Sequence, residues 1–229
     1  MDPAKIIIPT VLCYTKSSFV EWVEELKGFF KIIHVDVVDS SYGEQTWFDE
    51  IEVFEILEPF GKVIIHLMVE DPLVFLTNKS HLLKKDNVLY LIRLNKSKSI
   101  DNLNSLKELG YNVGVFFEIG DNFSVSPSLF GVCKEFMFLA VIAGKSGQRA
   151  NLQVLDNIKN FCSVNKELIA ETGSMVISVD GGLSSENALE YIESPANTIY
   201  ANSYLKQNGV EESFNKLSLL NGGTEEQMN

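Results

Sequence analysis

Eight short apolar runs, separated by stretches of helical periodicity, constrain the fold of this chain more than any other feature. They fall at residues 6–8, 32–38, 63–68, 88–94, 113–117, 136–142, 175–179 and 198–201. Each is near-continuously apolar rather than alternating, the pattern of a strand buried on both faces of a parallel sheet. Between them, residues 18–30, 48–57, 99–109, 152–161, 184–192 and 210–219 carry apolar side chains at helical spacing. In the first of these, Phe19, Val20, Val23, Leu26 and Phe30 are expected to point inward. Parallel strands need long crossovers, and strand followed by helix, repeated eight times, closes into a (β/α)8 TIM barrel. The fifth unit is the weakest: a loop rich in Ser, Asp, Asn and Pro follows Phe117 and leaves little room for a helix before Phe136. An open doubly wound sheet is the alternative, disfavoured because no GxGxxG follows the first run.

Local signals agree with this register. Ser18 with Glu21 three residues on reads as a capping box, and Ser184-Ser185-Glu186 offers an N-cap behind the seventh run. Gly61 and Gly110 each follow a helical stretch, where a C′ glycine belongs. With 229 residues, 45% of them hydrophobic, the chain can fill one large core. The expected organisation is a single barrel over residues 1–220 and a disordered tail over 221–229.

Composition narrows the function. Thirty-one acidic against 19 basic side chains give a net charge of −12, which disfavours nucleic acid and anionic lipid as partners. A small anionic substrate stays open, because a pocket can be locally positive. No apolar stretch approaches the roughly 20 residues of a membrane span. Met1-Asp2-Pro3-Ala4 lacks the features of a signal peptide, and the three cysteines, Cys13, Cys133 and Cys162, show no CxxC spacing. They read as free thiols, and the cytoplasm is the expected location.

The chemistry concentrates at strand ends. His34 and Asp36 stand two apart on one apolar run, so both emerge on the same face. His66 lies towards the end of the next run, and Asp180 ends the seventh. A barrel carries its active site at the C-terminal ends of its strands. Singly, each residue would pass for an ordinary hydrogen-bonded core or turn residue. Together, two imidazoles and two carboxylates at one mouth make a mixed N/O site for one divalent ion, zinc, iron, cobalt or manganese. His81, in a polar stretch, is expected at the surface.

These residues also sit in motifs that resemble the ribulose-phosphate 3-epimerase family, from Ile8 to about Tyr204. The motifs are Pro9-Thr10, His34-Val35-Asp36-Val37-Val38-Asp39, His66-Leu67-Met68-Val69 with Asp71-Pro72, Gly144 to Gln148, Val179-Asp180-Gly181-Gly182 with Asn187, and Ala201-Asn202-Ser203. The resemblance implies a ribulose-phosphate-binding barrel that interconverts D-ribulose 5-phosphate and D-xylulose 5-phosphate. It implies 1,1-proton transfer at carbon 3 through an enediolate, with His34, Asp36, His66 and Asp180 as metal ligands and Asp36 and Asp180 as acid and base. Thr10 would place a hydroxyl by the intermediate and Met68 an apolar wall above it. Gly144, Ser146, Gly147, Gly181, Gly182, Asn202 and Ser203 would hold the phosphate, largely through backbone N–H groups. The family is commonly dimeric or hexameric, so a homo-oligomer is implied.

The chain departs from the family pattern around the substrate. Val38 and Leu139 replace methionines, and Ala143, Lys145 and Ser146 replace a Pro, a Phe and a Gly. Asn202 stands for a Gly, Ser41 to Gln45 for a Phe-Val-Pro-Asn stretch, Arg93 for a His and Glu118-Ile119 for Asn-Pro. The metal and proton-transfer positions are intact while the substrate loops have drifted. An epimerase of another ketose phosphate, such as allulose 6-phosphate, would share every catalytic residue. A non-catalytic binding barrel is favoured by the changed loops and opposed by the complete ligand set. Barrel relatives that use an Asp-x-Lys-x-x-Asp pattern are disfavoured, since Asp36-Val37-Val38-Asp39 offers no lysine.

Overall fold

A computed structural model describes residues 5–77, 86–94 and 99–220. Eight parallel strands close on themselves: β1 (Ile6–Val11), β2 (Ile32–Val38), β3 (Lys62–Met68), β4 (Val88–Arg93), β5 (Asn112–Phe117), β6 (Glu135–Leu139), β7 (Val176–Asp180) and β8 (Thr198–Ala201). The closure is direct, because β1 pairs with β2 on one side and with β8 on the other. That excludes the open sheet and gives the (β/α)8 barrel. Helices α1 (Lys16–Leu26), α2 (Glu50–Ile56), α3 (Pro72–Thr77), α4 (Ser99–Glu108), α5 (Gln153–Val164), α6 (Lys166–Thr172), α7 (Ala188–Glu193), α8 (Ser203–Asn208) and α9 (Val210–Leu220) carry the connections. In the weak fifth unit a 3-10 turn, Pro127–Gly131, takes the place of a crossover helix.

The runs are apolar throughout because both strand faces are buried. Outward residues such as Val35, Val37, Ile65, Leu67, Val179 and Ile199 join the core beneath the helices. Inward residues fill the lumen: Ile8, Ile64, Leu89, Leu91, Phe116, Met137 and Tyr200 pack into a second cluster. Each such aliphatic side chain contributes about 1.5–3 kcal/mol by leaving water.

Three short helices, α3, α6 and α8, were not legible in the periodicity; six or seven residues make too few turns to show an apolar stripe. The caps also differ in detail. α1 starts at Lys16 with Thr15 as N-cap, whose side chain accepts from the Ser18 N–H at 3.2 Å. Glu21 instead accepts from the Ser17 hydroxyl, so the Ser18–Glu21 box does not form. α7 begins only at Ala188, because the Asn187 carboxamide takes the Ser184 N–H at 2.8 Å and holds residues 184–187 as a turn. Gly110, with φ +89°, does follow α4 as a left-handed residue. Cys13, Cys133 and Cys162 are free thiols. Among the described residues no helix is long and apolar enough to cross a membrane. His81 and residues 221–229 lie outside the described residues.

Candidate active site

Strand register assembles the polar layer. On the β1–β2 pair, Thr10 lies beside His34, and on β2–β3, Asp36 lies beside His66. Asp180 is flanked by Leu139 of β6 and Tyr200 of β8. Alternation turns all of these inward, so strands distant in sequence meet in the lumen. One ligand atom from each of His34, Asp36, His66 and Asp180 lies within 4.8 Å of all the others. The imidazoles are fully buried, and the two carboxyl residues are 8% exposed, at the top of the packed lumen.

Neighbouring bonds orient the rings. Thr10 Oγ1 is 3.1 Å from His34 Nδ1, and Asp36 Oδ1 is 2.9 Å from His66 Nδ1. His66 Nδ1 also lies 3.9 Å from Asp180 Oδ2, across the lumen. Burial holds His66 down to about 4 and His34 well below its ordinary value, so both rings are neutral at physiological pH. The His66–Asp36 contact is therefore a hydrogen bond rather than an ion pair. Burial pushes Asp36 up to about 8; burial, then the charge of Asp36, does the same to Asp180.

This donor set fits a divalent cation. Two neutral imidazoles and two carboxyls converge, and the Nε2 atoms of His34 and His66 are buried with no hydrogen-bond partner. Carboxyls that burial drives toward the neutral form are the groups a cation would return to carboxylates. Borderline divalent metals take such mixed N/O ligands.

A pocket opens beside this cluster. Thr10, Asp36, Ser146, Gly147, Asp180, Gly181, Gly182, Asn202 and Ser203 line it. Two of the residues expected at the substrate contact each other. The Gly144 N–H donates to Met68 Sδ at 3.1 Å, and neither residue lines the pocket. Gln148 shapes the overlying loop, donating from Nε2 to the Ile142 and Lys145 carbonyls at 2.7 and 2.8 Å. Opposite it, Asn187 Nδ2 donates to the Gly182 carbonyl and the Tyr191 hydroxyl to that of Gly181. Gly182 has φ +72°, and a Cβ there would sit 2.6 Å from Ala150 Cα.

The chain belongs to the ribulose-phosphate 3-epimerase family. A model of that family matches residues 6–206. The ribulose-phosphate 3-epimerase of Chlamydia trachomatis is 23% identical over 193 residues, 83% of this chain and 81% of that protein. The enzyme of the same name from Synechocystis sp. is 24% identical over 206 residues, 86% of each. Among solved structures, a mutant tryptophan synthase alpha-subunit from Pyrococcus furiosus has a TM-score of 0.63 at 14% identity, covering 100% of this chain and 99% of that one. The tryptophan synthase alpha subunit from Campylobacter jejuni gives 0.57 at 12% identity over 95% of each chain. At such identities these structures share the barrel and nothing finer. Family membership makes the chain an isomerase of the ribulose-phosphate 3-epimerase type.

Lys145, which the sequence left between a phosphate contact and open water, is the one cationic side chain among the described residues lining the pocket. Three of the departures from the family pattern also prove to be one cluster. Arg93 lies 3.1 Å from both Glu118 and Asp121, and Tyr42 hydrogen-bonds to Arg93 and Glu118. Positions that look independent along the chain are in mutual contact in the fold. Asp39, by contrast, ties loops together: against the effect of burial, the Ser41 hydroxyl and the Glu70 and Ser41 N–H groups donate to its carboxylate and hold it below the usual carboxylate range.

Proposed function

We propose that this epimerase-family barrel interconverts D-ribulose 5-phosphate and D-xylulose 5-phosphate by 1,1-proton transfer at carbon 3. The observation that carries this reading is the convergence of His34, Asp36, His66 and Asp180 within 4.8 Å, next to a pocket walled by glycine-bearing loops. These four residues would hold one divalent cation. When bound, the cation supplies positive charge that offsets the charge developing on the ketose oxygens.

The chain's own residues do the proton work. Inverting a carbon needs a base on one face and an acid on the other, and Asp36 and Asp180 reach the lumen from β2 and β7, well separated around the barrel. One takes the carbon 3 proton and the other returns a proton to the opposite face. His66 orients the Asp36 carboxyl, and Thr10 fixes the His34 ring and offers its hydroxyl to the pocket. Met68 supports the loop through Gly144 and so acts on the substrate from behind. Ser146, Gly147, Gly181, Gly182, Asn202 and Ser203 surround the phosphate, and Lys145 supplies its countercharge.

The test is solvent deuterium exchange into ribulose 5-phosphate. Exchange at carbon 3, dependent on manganese, iron, cobalt or zinc and lost in Asp180→Asn, is the expected result. No exchange with any of these metals would reject the reaction.

A further inference from the structure

Below the metal-binding layer lies a polar group that the reaction does not use. Glu135 opens β6 and is 0% exposed. Its Oε1 accepts from the Tyr200 hydroxyl and from Ser178 Oγ, both at 2.5 Å. Oε2 is buried without a partner. A fully buried carboxyl with one oxygen unpartnered carries a desolvation cost of several kcal/mol, which an apolar side chain at the same place would not. Its surroundings do not waste it. The ring of Tyr200 stacks on His34, with centroids 4.1 Å apart and planes at 24°. Tyr200 also lines the pocket beside Asp180.

We propose that Glu135 is a positioning residue for the metal site, acting through Tyr200 on His34. The His34 ring has Thr10 at Nδ1 and no partner at Nε2, so the plane of the ring is set by what lies against its face. That surface is the Tyr200 ring, and a ring can slide or tilt unless its far end is fixed. Glu135 fixes it. A phenol that donates to a carboxyl also gains electron density on its face, which favours an imidazole made electropositive by cation binding. The chain thus carries a link of hydrogen bond and stack, from the floor of the barrel to a ligand at its mouth. Groups that hydrogen-bond directly to metal ligands change affinity by about 10–100-fold, which bounds the effect of one acting through a stacked ring.

The inference rests on the metal-site reading but not on the identity of the sugar, and the experiment keeps them apart. Chelator-stripped protein is titrated with cobalt(II), followed by visible absorption, for the parent, Tyr200→Phe, Glu135→Leu and Glu135→Gln; thermal melts run in parallel. Tyr200→Phe keeps the stacked ring and unfastens it. It should bind cobalt(II) at least about tenfold more weakly, with a shifted absorption envelope. Glu135→Leu should match it, while Glu135→Gln, whose amide oxygen still accepts, should stay within about threefold of the parent. Parent affinity and spectrum in Tyr200→Phe would overturn the proposal, whatever happens to its melting temperature. That variant decides alone if Glu135→Leu does not fold. Equal loss in Glu135→Gln and Glu135→Leu would also overturn it, since bare charge would then be the cause. A parent that takes up no cobalt(II) overturns the metal site and this inference together; parent uptake with unaltered variants overturns the inference alone.

Discussion

Replacing Gly182 by Ala tests whether the loop contact that walls the pocket is as tight as the backbone implies. The glycine sits in the left-handed region at φ +72°, which costs an L-residue about 1–2 kcal/mol. The added Cβ would lie 2.6 Å from both Ala150 Cα and Ala150 Cβ and 2.7 Å from Ala150 N. Carbon atoms prefer about 3.5–4.0 Å, so the segment bearing Ala150 must retreat by roughly 1 Å. Overpacking of this kind costs about 1–3 kcal/mol, giving roughly 2–5 kcal/mol in all. For a chain of this size each kcal/mol lowers Tm by about 2–4 °C. The same retreat would open the pocket, and a misplacement of about 1 Å can cost roughly 100-fold in rate. Gly147→Ala is the control: it has φ +75° but nothing within 4 Å of the added Cβ, so it carries only the conformational cost. Urea unfolding of both variants, with kcat and KM for ribulose 5-phosphate, measures the difference. Gly182→Ala no less stable than Gly147→Ala, with parent KM, would refute the contact.

Lys145→Ala should raise KM for the sugar phosphate about two- to fivefold with little change in kcat, an exposed cation contributing about 0.5–1 kcal/mol; the difference should shrink in high salt. Kinetics at two salt concentrations check this, and an unchanged KM at low salt would place the ammonium in water. Without metal, Asp36 and Asp180 are raised by burial to about 8 from an ordinary value of 3.8. The folded chain then holds protons that the unfolded chain has released, so metal-free stability should fall as pH rises from about 4 to 8. Cation uptake displaces these protons, so affinity should climb over the same window and level off above it. Thermal melts with chelator or cobalt(II) at pH 6 and 8 check the sign: the stabilisation by metal should be larger at pH 8, and a larger gain at pH 6 would contradict it.

The barrel was legible in the sequence because parallel strands buried on both faces must be apolar along their whole length. That pattern survives without knowledge of any contact. His34 and Asp36 were legible for a related reason: polar residues two apart on a buried run share a face and need a partner. His66 and Asp180 followed from lying at other strand ends, where a barrel gathers its chemistry. What the sequence could not contain was distance across the lumen. Gly144 and Met68 lie in separate motifs, and only the fold brings the one against the other. Tyr42, Arg93 and Glu118 read as unrelated departures, and closure of the barrel makes them neighbours. Glu135 gave no signal at all, since a lone acid at the start of an apolar run looks like a solvated strand end. Alternation with Met137 and Leu139 turns it inward, but only register, which sets β6, β7 and β8 side by side, brings it beneath Tyr200 and His34. One-dimensional periodicity fixes which face a side chain takes; which other faces it meets is decided by strand stagger and closure, and those are properties of the folded chain.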